Sequence, residues 1–137
     1  GGYLTIECEE IEQLYIELAQ VAAEATEGID EETILEDLGA QGKMFPAFLG
    51  HGIAIPHVYS PDLNHRICYV AKLPKGLEIP GQDEAIDLVF FLLSPTGDTE
   101  GHLATLAEIA KSCHSERRRK QIKTANRVEE VMTAIGS

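Results

Sequence analysis

The stretch Gly50-His51-Gly52-Ile53-Ala54-Ile55-Pro56-His57 decides how the rest of the chain is read. A run of small and β-branched residues between turn-forming glycines and a proline reads as a short buried strand whose end delivers one imidazole, that of His57, into a loop. Pro56 fixes its own φ and holds Ile55 in extended geometry, so the chain reaches His57 along a stiff path and loses less entropy in orienting the ring.

Around this stretch strands and helices interleave. Residues 3–8 alternate weakly and read as a first strand. From Glu9 the period becomes helical, with Ile11, Leu14, Tyr15, Leu18, Val21, Ala22 and Ala25 on one stripe up to Gly28. Asp30 is placed to cap a second, short helix that ends at Gly39, after which residues 40–48 are expected to run irregularly toward the histidine. Beyond His57 the chain is turn-rich to Asn64. Residues 67–73 then read as a strand closed by Pro74-Lys75-Gly76.

Residues 86–93 form the most hydrophobic strand, expected to be central because both of its faces are apolar, and Ser94-Pro95-Thr96-Gly97 ends it. A helix with Leu103, Leu106, Ala107 and Ala110 on one side follows, then a polar helix over about 115–123. The last helix opens with a capping-box pattern, Asn126 with Glu129, and buries Val128, Val131, Met132 and Ile135. These elements predict a single-domain α/β architecture over residues 1–137: a mixed β-sheet holding the Ile53, Ile67 and Ile86 strands, flanked by helices.

Length and composition bound the function. A chain of 137 residues buries roughly two-thirds of its unfolded surface and needs no covalent staple. Its three cysteines, Cys8, Cys68 and Cys113, are widely spaced, with no Cys-x-x-Cys pair, which points to a reducing cytoplasm and to neither a disulfide framework nor a zinc knuckle. The longest apolar run, residues 88–93, is far short of the ~20 residues that span a bilayer. No basic-then-apolar leader opens the chain. Gly1-Gly2, without a methionine, reads as an added terminus or as a cut from a longer polypeptide.

A net charge of −12 repels phosphate backbones and anionic lipid, which argues against nucleic acid or a membrane surface as partner. The basic run Arg117-Arg118-Arg119-Lys120 reads as a solvated helix face, with a docking patch for an acidic partner as the lesser alternative.

The chemistry rests on histidine. A neutral imidazole attacks phosphorus through one ring nitrogen if a hydrogen bond from the other N–H to a carbonyl or carboxylate fixes the tautomer. Backbone N–H groups near Gly50 and Gly52 are candidates to receive phosphoryl oxygens. Spacing alone favours His57 as a loop histidine satisfied by ordinary local hydrogen bonds. His102 precedes a helical stripe, where unpaired N–H groups attract anions, or it is simply a solvent-facing helix-start residue. His51, His65 and His114 read as ordinary surface histidines, His51 being nearest to the loop.

Other chemistries fit less well. In Gly39-Ala40-Gln41-Gly42-Lys43-Met44 the glycines are too close for a P-loop and Met44 stands where a magnesium-binding hydroxyl belongs. No Gly-x-Ser-x-Gly is present, and the five histidines lack zinc-ligand spacing. Asp83, Glu84 and Asp87 are expected to face solvent.

The block Pro46-Ala47-Phe48-Leu49-Gly50-His51-Gly52-Ile53-Ala54-Ile55-Pro56-His57, the later hydrophobic strand, and Glu100-Gly101-His102-Leu103 occur in the order of a known family. In these the chain resembles the mannitol/fructose class of enzyme IIA, a component of the bacterial sugar phosphotransferase system. The resemblance implies that family's α/β fold, phosphorylation of His57, and contact of His102 with the phosphoryl group as a hydrogen-bond donor, with no cofactor and no metal. It implies partners as well: a small HPr-like phosphocarrier as donor and a cysteine of an enzyme IIB as recipient. The alternative is a regulatory IIA-like module fused to a transporter or transcription regulator.

The family places an arginine and then a glutamate where this chain has Gln41 and Gly42, and a threonine at Ala47. A charge-assisted hydrogen bond is worth about 1.5–3 kcal/mol. Glutamine at position 41 therefore implies transfer slower by roughly one to two powers of ten unless Lys43 or Arg66 substitutes. Gln41, Gly50, His51 and Gly52 complete the expected binding set beside His57 and His102.

Overall fold

A computed structural model of the chain describes residues 2–44 and 48–136; the side chains of residues 41–44 lie outside that description. The order is β1 (Tyr3–Thr5), α1 (Ile11–Ala25), α2 (Glu31–Met44), β2 (Phe48–Gly50), β3 (Ile53–Ala54), β4 (His57–Ser60), β5 (Ile67–Leu77), β6 (Ile86–Pro95), α3 (Thr99–His114), α4 (Glu116–Thr124) and α5 (Val128–Gly136). The six strands form one mixed sheet in the order β1-β5-β6-β3-β2, with β4 also on β6. The expected α/β architecture, a mixed sheet flanked by helices, is the one observed.

The strand β6 is central, as its composition requires. It pairs antiparallel with β5 on one side and parallel with β3 and β4 on the other. Because side chains alternate along a strand, its run of apolar residues serves two cores. Val89, Phe91 and Leu93 pack with Leu14, Leu18, Ile34 and Leu38 of α1 and α2. Leu88 and Phe90 pack with Ile109, Cys113, Ile122 and Val131 of the C-terminal helices. All of these side chains are buried. Among the described residues, no helix is long and apolar enough to cross a membrane.

Several boundaries differ from expectation. The helix α2 is not short: it passes through Gly39 to Met44, taking up most of the expected irregular segment. Asp30 does cap it, accepting from the Thr33 backbone N–H at 3.2 Å. A helical glycine costs about 1 kcal/mol against alanine, and fully buried Ile34 and Leu38 hold the helix on the sheet.

The strand β5 likewise continues past Pro74. Its pairing with β6 shifts between Lys72 and Leu77 and resumes at Leu77 opposite Ile86, so the proline interrupts the ladder without ending the strand. The helix α3 buries His102, Ile109, Ser112 and Cys113, whereas Leu103 is 58% exposed. The apolar stripe expected on Leu103 and Ala107 is thus rotated by about one residue, because an imidazole occupies a core-facing position that hydrophobicity does not mark.

Candidate active site

His57 opens a strand instead of standing in a loop. In the parallel pairing with β6, Ile53 lies opposite Leu88, Ala54 opposite Val89 and His57 opposite Leu92. β3 and β4 are thus one line of chain interrupted at Ile55-Pro56. The interruption has a covalent cause: Pro56 has no N–H to give the ladder. Its carbonyl still accepts from Leu92 N at 3.0 Å, which holds the line in register. Across the break, His57 Nδ1 lies 2.8 Å from the Ile55 carbonyl oxygen. A carbonyl only accepts, so Nδ1 carries the proton and Nε2 carries the lone pair. That is the tautomer a nucleophilic imidazole needs.

The second imidazole comes from the first turn of α3. The His57 and His102 ring centroids are 5.1 Å apart, and Tyr59 lies against the other histidine at 4.3 Å. His102 is 1% exposed. Its Nδ1 is 2.6 Å from Ser94 Oγ, while Nε2 is buried without a hydrogen-bond partner among the described residues. Burial chiefly, then the neighbouring His57, with a smaller effect of Arg66, lowers the His102 pKa to about 4 against the opposing pull of Asp98. The ring is therefore neutral at cellular pH. A buried polar nitrogen left unmet is costly, which makes this nitrogen a candidate contact for a ligand atom.

A charged pair borders the site. The Arg66 guanidinium bonds to the Asp98 carboxylate just before α3, and a Cβ at Gly101 would come within 2.8 Å of Arg66 Cζ. A side chain at position 101 would push this pair aside. Among the residues named to replace the family arginine, Arg66 is the one the structure describes beside His102.

The other expected binding residues stand elsewhere. Gly50, His51 and Gly52, with φ of 84°, 57° and 77°, make the turn between β2 and β3. Gly52 O accepts from Asp87 N at 2.9 Å and from Leu88 N at 3.2 Å, so the turn sits at the start of β6. His57 is five residues further along an extended line, about 16 Å away. The N–H groups of this turn are therefore not beside the His57 ring, and the structure does not bring Gly50, His51 or Gly52 to it. Distance along an extended strand, invisible in a short motif, is the reason. The Gln41 and Lys43 side chains, and Ala47, lie outside the described residues. His65 and His114 are exposed. Asp87 does not simply face solvent, being paired with Lys123 Nζ at 3.0 Å.

Sequence reasoning passed over Ser94 and Tyr59. Both had a signal: in a strand through His57, Tyr59 returns to the same face two residues later, and it lies directly opposite Ser94. Among the described residues, no three His, Cys, Asp or Glu side chains are grouped to hold a metal ion.

Comparison with known proteins gives a consistent picture. Residues 3–137 match the model of the family described as phosphoenolpyruvate-dependent sugar phosphotransferase system, EIIA 2. A nitrogen regulatory protein of Bradyrhizobium diazoefficiens is 32% identical over 120 residues, covering 87% of this chain and 78% of that protein. The 2-O-alpha-mannosyl-D-glycerate-specific EIIABC component of Escherichia coli is 28% identical over 107 residues, 76% of this chain but 16% of that protein. Among solved structures, the nitrogen regulatory protein IIA-Ntr of Neisseria meningitidis superposes with a TM-score of 0.84 at 23% identity, covering 97% of this chain and 91% of that one. The mannitol enzyme IIA of Escherichia coli, solved in complex with phosphorylated mannitol enzyme IIB, gives 0.75 at 15% identity, covering 98% and 92%. At these identities the two structural likenesses establish the fold alone.

Proposed function

The chain belongs to the EIIA 2 family of the phosphoenolpyruvate-dependent sugar phosphotransferase system, and from that premise we propose that His57 Nε2 accepts a phosphoryl group whose presence or absence is the protein's regulatory output. The donor is a phosphohistidine on a small carrier protein. The donor's P–N bond breaks as the P–Nε2 bond forms. The donor ring leaves neutral, and the His57 ring, keeping its Nδ1 proton on the Ile55 carbonyl, takes the positive charge beside the phosphoryl dianion. No other proton or co-reactant is required.

One observation carries this reading: a half-buried imidazole with its Nδ1 tied to a carbonyl faces a second imidazole whose buried Nε2 has no partner among the described residues. A phosphoryl oxygen between the two rings would meet that nitrogen. The regulatory output is favoured by the likeness to nitrogen regulatory proteins and by Gln41, where fast sugar-linked transfer would call for an arginine. A second reading, onward transfer to an enzyme IIB cysteine with P–N cleavage and P–S formation, is favoured by the sequence match to the EIIABC component.

Incubation with a phosphorylated carrier, followed by intact-mass measurement at alkaline pH, tests the proposal. One phosphoryl group is expected on the native chain, none on His57→Ala, and full labelling on His51→Ala. Labelling of His57→Ala would overturn it. Loss of the label to an added enzyme IIB, with the phosphoryl group recovered on that protein's cysteine, would select the second reading.

A further inference from the structure

Ser94 is an unusual residue for its place. It stands at the end of the most hydrophobic strand, wholly buried, with its hydroxyl 2.6 Å from His102 Nδ1. Among the described residues that nitrogen is its only hydrogen-bond partner. Two proton arrangements satisfy the distance. In one, His102 donates from Nδ1, which leaves the hydroxyl hydrogen with no acceptor and a bare lone pair on the buried Nε2. In the other, the hydroxyl donates to Nδ1, and the single unmet group is an Nε2–H. Each unmet buried polar group costs free energy, so the arrangement with one prevails over the arrangement with two. It also avoids aiming a second lone pair at the oxygens of an incoming anion.

We propose that Ser94 is a positioning residue: its hydroxyl donates to His102 Nδ1 and thereby places the imidazole proton on Nε2, aimed at the phosphoryl group carried by His57. The proposal rests on the reading of His57 as phosphoryl acceptor. Tyr59, packed at a tilt against the His102 ring, limits the ring's rotation, while Ser94 sets its proton. A hydroxyl suits the site because it can donate to the lone pair of neutral His102 Nδ1. A carboxylate in its place would only accept and would hold the proton on Nδ1. An alanine would leave the choice open.

Long-range 1H–15N NMR reads the His102 tautomer directly. The native protein at pH 7.5 is expected to show the Nε2–H form, Ser94→Thr the same form, and Ser94→Ala a mixture or the Nδ1–H form. Labelling by the phosphorylated carrier should fall about ten-fold in Ser94→Ala and recover in Ser94→Thr to within about three-fold of the native rate. An Nδ1–H tautomer in the native protein overturns the proposal, as does an unchanged labelling rate in a folded Ser94→Ala. If Ser94→Ala does not fold, the native tautomer decides. If the native chain takes no phosphoryl group at all, the proposed function fails, while the NMR result still answers for Ser94.

Discussion

The two ends of the line that runs from Gly52 to His57 both carry a histidine, and they are built in opposite ways. At the turn end the backbone is tied down: three successive residues with positive φ, the Gly52 carbonyl bonded to two N–H groups of β6, and Lys123 bonded to the His51 carbonyl and ion-paired with Asp87 Oδ1, a buried atom with no other partner among the described residues. His51 itself is exposed. At the other end a buried ring nitrogen of His102 has neither hydrogen bond nor ion pair among the described residues. The contrast teaches that a glycine-rich turn next to a histidine can be an anchor. The end that can take a ligand atom is the one where a desolvated polar atom has neither a hydrogen bond nor a counter-charge among the described residues.

If that contrast is right, damage to the anchor should alter stability and leave the chemistry alone. The strongest case is Gly52→Ala. A Cβ there would lie 2.7 Å from Asp87 Oδ1 and 2.8 Å from the Ala85 carbonyl oxygen, at a φ of 77°. The left-handed conformation and the clash together are expected to cost about 3 kcal/mol of unfolding free energy, measured by urea denaturation. At temperatures where the variant stays folded, labelling of His57 should remain within about two-fold of native. A large loss of labelling would mean that the two ends are coupled.

The opposite end has its own signature, in pH. Folding holds His102 neutral, with its pKa lowered to about 4 chiefly by burial, whereas the unfolded chain protonates it near 6.5. Between those values the unfolded state binds more protons, so stability from this group is fully present above about pH 6.5 and falls as pH drops toward 4. The expected loss is on the order of 3 kcal/mol across the window. Comparing unfolding midpoints of the native protein and His102→Gln from pH 7.5 to 4 isolates the effect, because only the native curve should carry this slope. Parallel curves would mean that His102 is not held neutral by its surroundings.

How much of this was legible in the sequence follows the same physics. The central strand was plain, because six consecutive apolar residues, 88–93, leave few other places for a strand to be. The two catalytic candidates were named through family resemblance, and the fold brings them within ring contact. The errors lie where local signals are ambiguous. Gly39 and Pro74 look like stops, yet tertiary packing carries α2 and β5 through them. Leu103 looks like core, yet His102 takes the buried position. Gly50 and Gly52 look like an oxyanion cradle, yet an extended strand carries them about 16 Å from the ring. Ser94 looks like a turn residue because hydrophobicity ends there, although strand periodicity continues one pair further.

The smallest expected effect tests whether the turn end needs its charges at all. The Lys123 ammonium is 3.0 Å from Asp87 Oδ1, with the two side chains 30% and 46% exposed. Ion pairs this open to water and salt contribute little, because solvent screens the attraction and both side chains lose entropy when held. The lysine's second bond, to the His51 carbonyl, joins α4 to the turn. Lys123→Gln keeps a donor for that carbonyl and removes only the charge. It is expected to cost less than about 1 kcal/mol in urea denaturation, less still at high salt, with labelling of His57 unchanged. A loss as large as that of Gly52→Ala would show that the ion pair, and not the backbone geometry of the three-residue turn, holds this end in place.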